Sequence, residues 1–523
     1  MPDHPPGSLS RRSVLAGMAT ALGVAGTAGR ASAAPPPGAP ALAFANPAMQ
    51  SALGGPYEAA LTNLLVTNTV PYDPAVYNRT RLMSGTPGTF FRAGQDYAQP
   101  WTRDAAINSW NAGSLLSPAV ARNTLWSVCD RRADGSLVIL QDGQWWDQVI
   151  WGRGAWSYYT VTGDTAFLAD AYQALANTLA IAEATRFNAT YGLFAGPAVM
   201  QDGIAGYPAP PADPKGGSSS APSYPAVAKI MCLSTNCVYA AVYATAADMA
   251  GALGRPAAER TAYLAKATAL RNAINTRLWI PAKGLYGYFL HGSGSLAGTL
   301  DQHEETLGLA FAILLGVADG TRTASIMAGH HRAPYGVVNV WPHFPPYTDA
   351  MPGRHEAVVW PMVQGFWAHA AARAGRTGLF ATELSGLAAL ARNDGNTFSE
   401  IYNATTGVRD GGYQVAGGSA QVHWDSTVNQ TWSASAYLRM LYAGLFGMSF
   451  APSSLTFAPS LPDGWGQVTL SGLKYRAAAL TVVLTGAGRT VKQVTLDGAP
   501  AASATVPGSS TGSHTLRIEL TTP

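Results

Sequence analysis

Cysteine is nearly absent from this chain: Cys129, Cys232 and Cys237 are the three among 523 residues. They are too few and too irregularly spaced for a disulfide framework or a zinc site. Buried free thiols are the favoured reading, with a Cys232–Cys237 bridge as the lesser one. Charge is scarce as well, since Asp, Glu, Lys and Arg make up only 12% and the net charge of +3 is spread without basic runs. That argues against a nucleic-acid partner, which needs clustered Lys and Arg. No Gly-rich phosphate loop, no His-Glu-x-x-His pair, no Gly-x-Ser-x-Gly elbow and no calcium-ligand loop occurs. The expected cofactor set is therefore empty, and no metal ligands are assigned.

Hydrophobic residues, at 47%, are enough to bury a large core, and the length exceeds one average domain. The 14 Trp and 22 Tyr are more than a core requires. Aromatic faces stack on the apolar faces of sugar rings, so a carbohydrate cleft is one use for them.

At the N-terminus, Arg11 and Arg12 precede an Ala/Gly-rich apolar run that ends at Ala31-Ser32-Ala33. This pattern resembles a twin-arginine export signal, with cleavage expected near Ala33 and a secreted, periplasmic or cell-surface destination. The run is shorter than the ~20 residues of a bilayer span, so no stable membrane insertion is expected. Residues 1–33 are thus read as a signal and 34–47, with "APPPGAP", as a linker.

Residues 48–447 read as helix-length blocks separated by aromatic, Gly-rich and Pro-rich loops. Phe167, Leu168, Ala171, Leu175 and Leu179 fall on one helical face, and Met362, Val363, Phe366 and Ala370 repeat the pattern before Gly375. Similar blocks cover Asn108–Trp126, Trp146–Thr160, Ser234–Leu253, Ala257–Leu278, His303–Leu315, Thr382–Arg392 and Thr431–Tyr442. About a dozen helices without a clear strand series describe an all-helical barrel of hairpins, whose closure the pattern does not fix. Beyond it, residues 448–523 alternate apolar and polar, as at Leu516, Ile518 and Leu520, between Gly and Asp-Gly turns. They describe a small β-sandwich, read as a stabilising appendage with sugar binding as the alternative.

Carboxylates recur in loops dense with Trp, Tyr and Gly: "YAQPWTRDAAINSW" (Asp104), "DGQWWDQVIWGRGAW" (Asp147), "FAGPAVMQDGIAGYP" (Asp202), "RHEAVVWPMVQGFW" (Glu356) and "TFSEIYNATTGV" (Glu400). Such loops suit a sugar-lined cleft in which one carboxylic acid protonates a leaving oxygen and another carboxylate acts as nucleophile or activates water. Asp202, after Pro197, Val199 and Met200, has the apolar setting that favours the protonated form; Glu400, beside the polar "NATTG" turn, is the better candidate to stay ionised.

"SEIYNATTG" resembles the Glu-x-Tyr-Asn-x-x-Thr-Gly segment of glycoside hydrolase family 63, and "VVWPMVQGFW" is similar to the Trp-Pro helix ahead of it there. "NQTWSASAYL", "PWTRDAAINSW" and "MQDGIAGYP" resemble further elements in the same order, over roughly residues 80–445. Trehalases of family 37 share the layout. "MQDGIAGYP" departs from the pattern in lacking a Gly-Trp-Asp or Asp-Asn flavour. The resemblance implies an all-α (α/α)6 six-hairpin barrel and an exo-acting enzyme that cleaves an α-linked hexoside with inversion. Asp202 would be the general acid and Glu400 the base. Trp101, Arg103, Asp104, Trp145, Trp146, Asp147, Gln201, His355, Glu356, Trp360, Gln364, Tyr402 and Trp432 are the substrate-binding candidates.

Several alternatives stand beside these roles. Glu400 has the reading of an exposed helix-end charge, Asp202 that of a turn or cap, and Asp147 that of the acid. Arg103 and Asp104 form either an ion pair or a sugar contact, one of Trp145 and Trp146 faces the core, and Trp360, Gln364 and Trp432 either pack between helices or touch sugar. An α-L-rhamnosidase or debranching-type glucosidase, and a non-catalytic carbohydrate-binding protein, are the rival functions. The partner is an oligosaccharide or glycoside; the oligomeric state is left open.

Overall fold

The computed structural model describes residues 36–85, 88–140, 146–208, 217–415 and 420–522. The expected signal segment and Trp145 lie outside the described residues.

Among the described residues, twelve helices build a closed barrel. They are α1 (residues 47–67), α2 (102–116), α3 (Pro118–Ser127), α4 (Trp151–Thr162), α5 (Thr165–Arg186), α6 (Leu233–Ala252), α7 (Ala257–Arg277), α8 (Thr306–Leu314), α9 (Gly320–Gly329), α10 (Pro361–Arg373), α11 (Thr377–Asn393) and α12 (431–445). The inner ring runs α2, α4, α6, α8, α10, α12 and returns to α2, each helix packing on the next. Helices α6, α8, α10 and α12 are buried on nearly every side, as an inner layer must be. The outer helices bury one stripe: on α7 only Ala267, Leu270 and Ile274 are buried. On α5 the buried stripe includes Phe167, Leu168, Ala171, Leu175 and Leu179, the face expected from their spacing.

The first helix completes the outer layer of the barrel. Helix α1 packs against α12 and α11, burying Leu53, Tyr57, Ala60, Leu61 and Leu64. The Tyr57 hydroxyl lies 2.8 Å from the Pro40 carbonyl and 2.9 Å from the Tyr442 hydroxyl. The linker expectation for residues 34–47 is corrected in the same place. Ala41–Phe44 is a strand, β1, whose Leu42 pairs with Leu470; Leu42 and Phe44 alternate inward and are buried.

Other differences are local. Helix α9 escaped the periodicity because "GTRTASIMAG" holds few large apolar residues; Asp319 starts it by accepting the Arg322 N–H at 2.8 Å. The loops also carry short antiparallel pairs, such as Cys129–Arg131 with Leu137–Ile139 and Val358–Val359 with Tyr402–Asn403. These are too short to leave a period of two in the sequence. All three cysteines are buried and free.

The inner helices approach closely where glycine allows it. A Cβ at Gly154 of α4 would stand 2.8 Å from both the Cα and the carbonyl oxygen of Ala106 in α2. Backbone cannot yield as a side-chain tip can, so Gly154→Ala is expected to cost about 2–3 kcal/mol. Urea unfolding would read this as a lowered midpoint at unchanged slope.

The C-terminal strands are β2 (Met448–Ala451), β3 (Ser454–Phe457), β4 (Val468–Tyr475), β5 (Ala478–Gly486), β6 (Thr490–Leu496), β7 (Ala499–Pro500), β8 (Thr505–Pro507) and β9 (Gly512–Thr521). One sheet has the order β1-β4-β5-β9-β6-β7 and the other β2-β3-β8; β5 and β9 run parallel, and the other pairs antiparallel. Arg476, between β4 and β5, donates to the carbonyls of Thr160 and Val161 at 3.1 and 3.2 Å. It thus satisfies carbonyls that the end of α4 leaves open.

Candidate active site

The candidate residues sit where the chain enters the inner helices. Arg103 and Asp104 occupy the first turn of α2, and Asp147 precedes α4 by four residues. Gln201 and Asp202 lie on the loop before α6, Glu305 directly before α8, Arg354 to Trp360 before α10, and Glu400 on the segment before α12. One end of the barrel thus gathers six helix N-termini, whose free N–H groups favour negative charge.

Glu400 is buried and held twice. Arg354 Nη2 donates to its Oε2 at 2.9 Å, and His355 Nε2 lies 3.1 Å from its Oε1. Arg354 is itself fixed, donating to the carbonyls of Gly411 and Asp425 at 3.0 and 3.3 Å. Burial alone would raise the Glu400 pKa, but the charge of Arg354 and the His355 hydrogen bond outweigh it and hold the carboxyl down to about 2. Glu400 is therefore a carboxylate across the physiological range. Its charge, followed by burial, pushes the Tyr97 phenol up.

His355 joins the two halves of the site. Its Nδ1 faces Asp202 Oδ1 at 3.9 Å while Nε2 meets Glu400. The ring lies flat on Trp360, with centroids 4.3 Å apart and 13° between planes, and Trp360 is met edge-on by Trp432. Burial and then Arg354 lower the His355 pKa, more than the two carboxylates raise it. The residue is held at φ +59°, and Met200 beside Asp202 at φ +64°. Backbone in this region is strained for side chains of their size and concentrates at functional sites. With both carboxylates on one imidazole, Asp202 Oδ1 and Glu400 Oε1 are at most about 9 Å apart, inside the roughly 9.5 Å limit for carboxyl pairs that activate a water between them.

Three aspartates surround Arg103. Its Nη2 donates to Asp202 Oδ2 at 2.6 Å and its Nη1 lies 3.7 Å from Asp147 Oδ2. Burial raises the Asp202 carboxyl, but Arg103 and then His355 and Arg354 bring it below its ordinary value. The apolar setting expected to keep Asp202 protonated is thus overruled by an ion pair with a residue 99 positions earlier. Asp147 goes the other way: burial raises it more than Arg103 lowers it, and Met200 N–H donates to it at 3.0 Å. Asp104 is pushed by burial up to about 7 against the pull of Arg103, and accepts the Trp101 N–H at 3.3 Å. Asp202 keeps 28% of its side chain exposed, whereas Asp147 has none. Of the two, Asp202 is the one with surface open to solvent.

The remaining candidates divide. Trp101 is half-buried and meets Tyr97 edge-on, 5.0 Å between centroids. Trp146 faces the core, its Nε1 donating to the Ala198 carbonyl at 3.0 Å. Gln201 is buried and accepts from Asn339 at 3.3 Å. Glu356 is buried behind the loop, where it accepts the Phe344 N–H and burial raises its pKa well above the ordinary value. Gln364 donates to Glu383 at 2.9 Å between helices α10 and α11. Tyr402 is fully buried, with its hydroxyl accepting the Ser399 N–H at 2.9 Å. Trp360 and Trp432 are packed as supports for His355.

Sequence reasoning passed over Arg354, Tyr97 and Glu305. Arg354 was legible as the third charge in "RHE"; Tyr97 and Glu305 left no distinguishing pattern. Glu305 accepts the Ser234 N–H at 3.0 Å and is pushed by burial up to about 8. Among the described residues, no three His, Cys, Asp or Glu side chains are grouped to hold a metal ion.

A family model described as the mannosylglycerate hydrolase MGH1-like glycoside hydrolase domain matches residues 149–433, more than half of the chain. The chain belongs to this family. As an MGH1-like glycoside hydrolase it carries Asp202, Arg354, His355 and Glu400 within the matched residues, while Arg103 lies before them. A family 63 mannosylglycerate hydrolase from Thermus thermophilus, solved with glucose, is similar at TM-score 0.52 and 15% identity, over 70% of this chain and 99% of that one. A structure of such an enzyme from the same organism with Tris and D-glycerate gives 0.51 and 16% over the same shares. A protein described as a sialidase gives 0.61 and 15% over 86% of this chain, which spans only 38% of that protein. At these identities the likeness is one of fold, and that fold is the six-hairpin barrel. No curated protein matches the chain. The MGH1-like chain is a glycoside hydrolase with a carbohydrate substrate, and among its described residues no helix is long and apolar enough to cross a membrane.

Proposed function

We propose that this MGH1-like protein is an exported, inverting, exo-acting α-glycosidase for small α-linked glucosides or related hexosides. The observation that carries the proposal is the pair Asp202 and Glu400, facing each other across His355 with one open to solvent and the other held ionised. In this reading Glu400 takes a proton from a water that attacks the anomeric carbon. Asp202 gives its proton to the leaving oxygen on the opposite face. Asp202 must first take a proton from solvent, after which its O–H donates to the glycosidic oxygen while Arg103 stays on the other carboxyl oxygen. The twin-arginine pattern supports export, and the β-domain, docked through Arg476 to the end of α4, acts as a stabilising appendage.

Because the solved relatives include mannosylglycerate hydrolases, the substrate panel should hold mannosylglycerate beside α-glucosides, α-mannosides and α-rhamnosides. Proton NMR of the digest would resolve the anomer released first. The β-anomer is expected from an α-hexoside. First release of the α-anomer would overturn inversion, and no release from any substrate would favour a carbohydrate-binding role.

A further inference from the structure

The end of the barrel away from the carboxylates contains a cavity of about 390 Å³ between helices α2, α4, α10 and α12 and the start of the β-domain. Four arginines line it, Arg153, Arg373, Arg439 and Arg489, with His369 beside them; among its described lining residues there is no Asp or Glu. Arg439 is 3% exposed, yet its partners are neutral: Asn111 Oδ1 at 3.1 Å and His369 Nδ1 at 2.9 Å. Its guanidinium packs against the contacting pair Trp110 and Phe366, 4.4 and 4.3 Å from their ring centroids. Arg153 lies over the same Trp110 at 5.0 Å and donates to Thr245 at 2.9 Å. The Nε groups of Arg153, Arg439 and Arg489 are buried without a partner.

A guanidinium cannot shed its proton inside a protein, so a buried one demands a counter-charge. Arg373 has a structural use, donating to the Leu314 carbonyl at 2.7 Å at the end of α8. Asp248 is the carboxylate acting on Arg153, and among the described residues the charged neighbour of Arg439 is Arg153. Burial and the nearby arginines keep His369 neutral, so it accepts a hydrogen bond from Arg439 and brings no negative charge.

We propose that this cavity binds an oxyanion group, of the phosphate, sulfate or carboxylate class, at the Arg153–Arg439 pair. The guanidinium fork matches such oxygens in pairs. The remaining walls, with Trp156, Ser109, Ser157 and Thr160, leave room for a sugar-sized neutral body, so a sugar phosphate fits as well as a free anion. The site is separate from the carboxylate pair and does not depend on the glycosidase reading.

The test is thermal unfolding of the mature protein with sodium phosphate, sodium sulfate or glucose 6-phosphate against sodium chloride at matched ionic strength. A saturable rise of several degrees with the oxyanions but not with chloride is expected, since a ligand of the folded state stabilises it by mass action. A lower saturating concentration for glucose 6-phosphate would assign a phosphate ester, and an equal one the free oxyanion. Arg153→Gln, partly exposed and therefore tolerant of replacement, should shift saturation at least tenfold upward, and Arg489→Gln, on the cavity wall outside that pair, should shift it less. Arg489→Gln should leave glycoside hydrolysis unchanged. An equal rise with chloride, or a rise that persists unshifted in both variants, would overturn the proposal, the latter by placing the anion elsewhere.

Discussion

Glu400→Gln is expected to lower kcat about a thousandfold on every α-hexoside the protein hydrolyses, the middle of the range for a positioned general base. KM should change far less, because the Gln amide oxygen can still accept from Arg354 while its NH2 group donates to Nε2 of a neutral His355. The substitution also removes a charge, and this has a measurable stability signature. The folded pKa of Glu400, about 2, lies below its ordinary 4.5. Its ionised form therefore stabilises the fold above pH 4.5, and the contribution is lost as pH falls through about 2. Over that interval the linkage amounts to about 3 kcal/mol. Gln resembles the protonated acid, so the variant should melt well below the parent at pH 7 and the two should converge towards pH 2–3. Equal melting at both pH values would mean that Arg354 does not hold Glu400 as the geometry requires. An unchanged kcat would move the base elsewhere.

The helical barrel was legible because its outer helices carry their burial pattern locally. Leu168, Ala171, Leu175 and Leu179 need only α5 itself to declare a face. Completion of the outer layer was not, since it depends on α1 finding α12 across some 380 residues, as Tyr57 finds Tyr442. The same contrast divides the site. Glu400 stood out because its aromatic neighbours and polar turn are adjacent in the chain. The ionisation of Asp202 is set instead by Arg103 and His355, 99 residues before and 153 after it, and local apolar residues misled. Conversely, Glu356 and Tyr402 sit inside conspicuous segments but turn their side chains into the core. A motif marks a loop as functional without saying which of its residues face the cleft.

Asp202 poses the sharper test, because an acid whose charged neighbour holds it ionised must recover its proton before it can act. In Asp202→Asn, substrates with poor leaving groups should lose about a thousandfold in kcat. An α-hexosyl fluoride, whose departing anion needs little protonation, should lose no more than about tenfold. That asymmetry belongs to an acid; a merely structural role would lower both alike. Asp147→Asn supplies the contrast: buried against Arg103 and the Met200 N–H, it should lower both substrates by similar factors. The pH profile follows from the same geometry. Arg103 and His355 hold free Asp202 below its ordinary value, and Glu400 is ionised above about 2. The bell for kcat/KM, which reports the free enzyme, should thus sit on the acidic side of neutrality. The bell for kcat should extend to higher pH, because a bound glycosidic oxygen can only accept and so favours the protonated acid, and burial beneath the substrate adds to this. If both bells coincide, the bound oxygen does not favour protonated Asp202 and a different group delivers the proton.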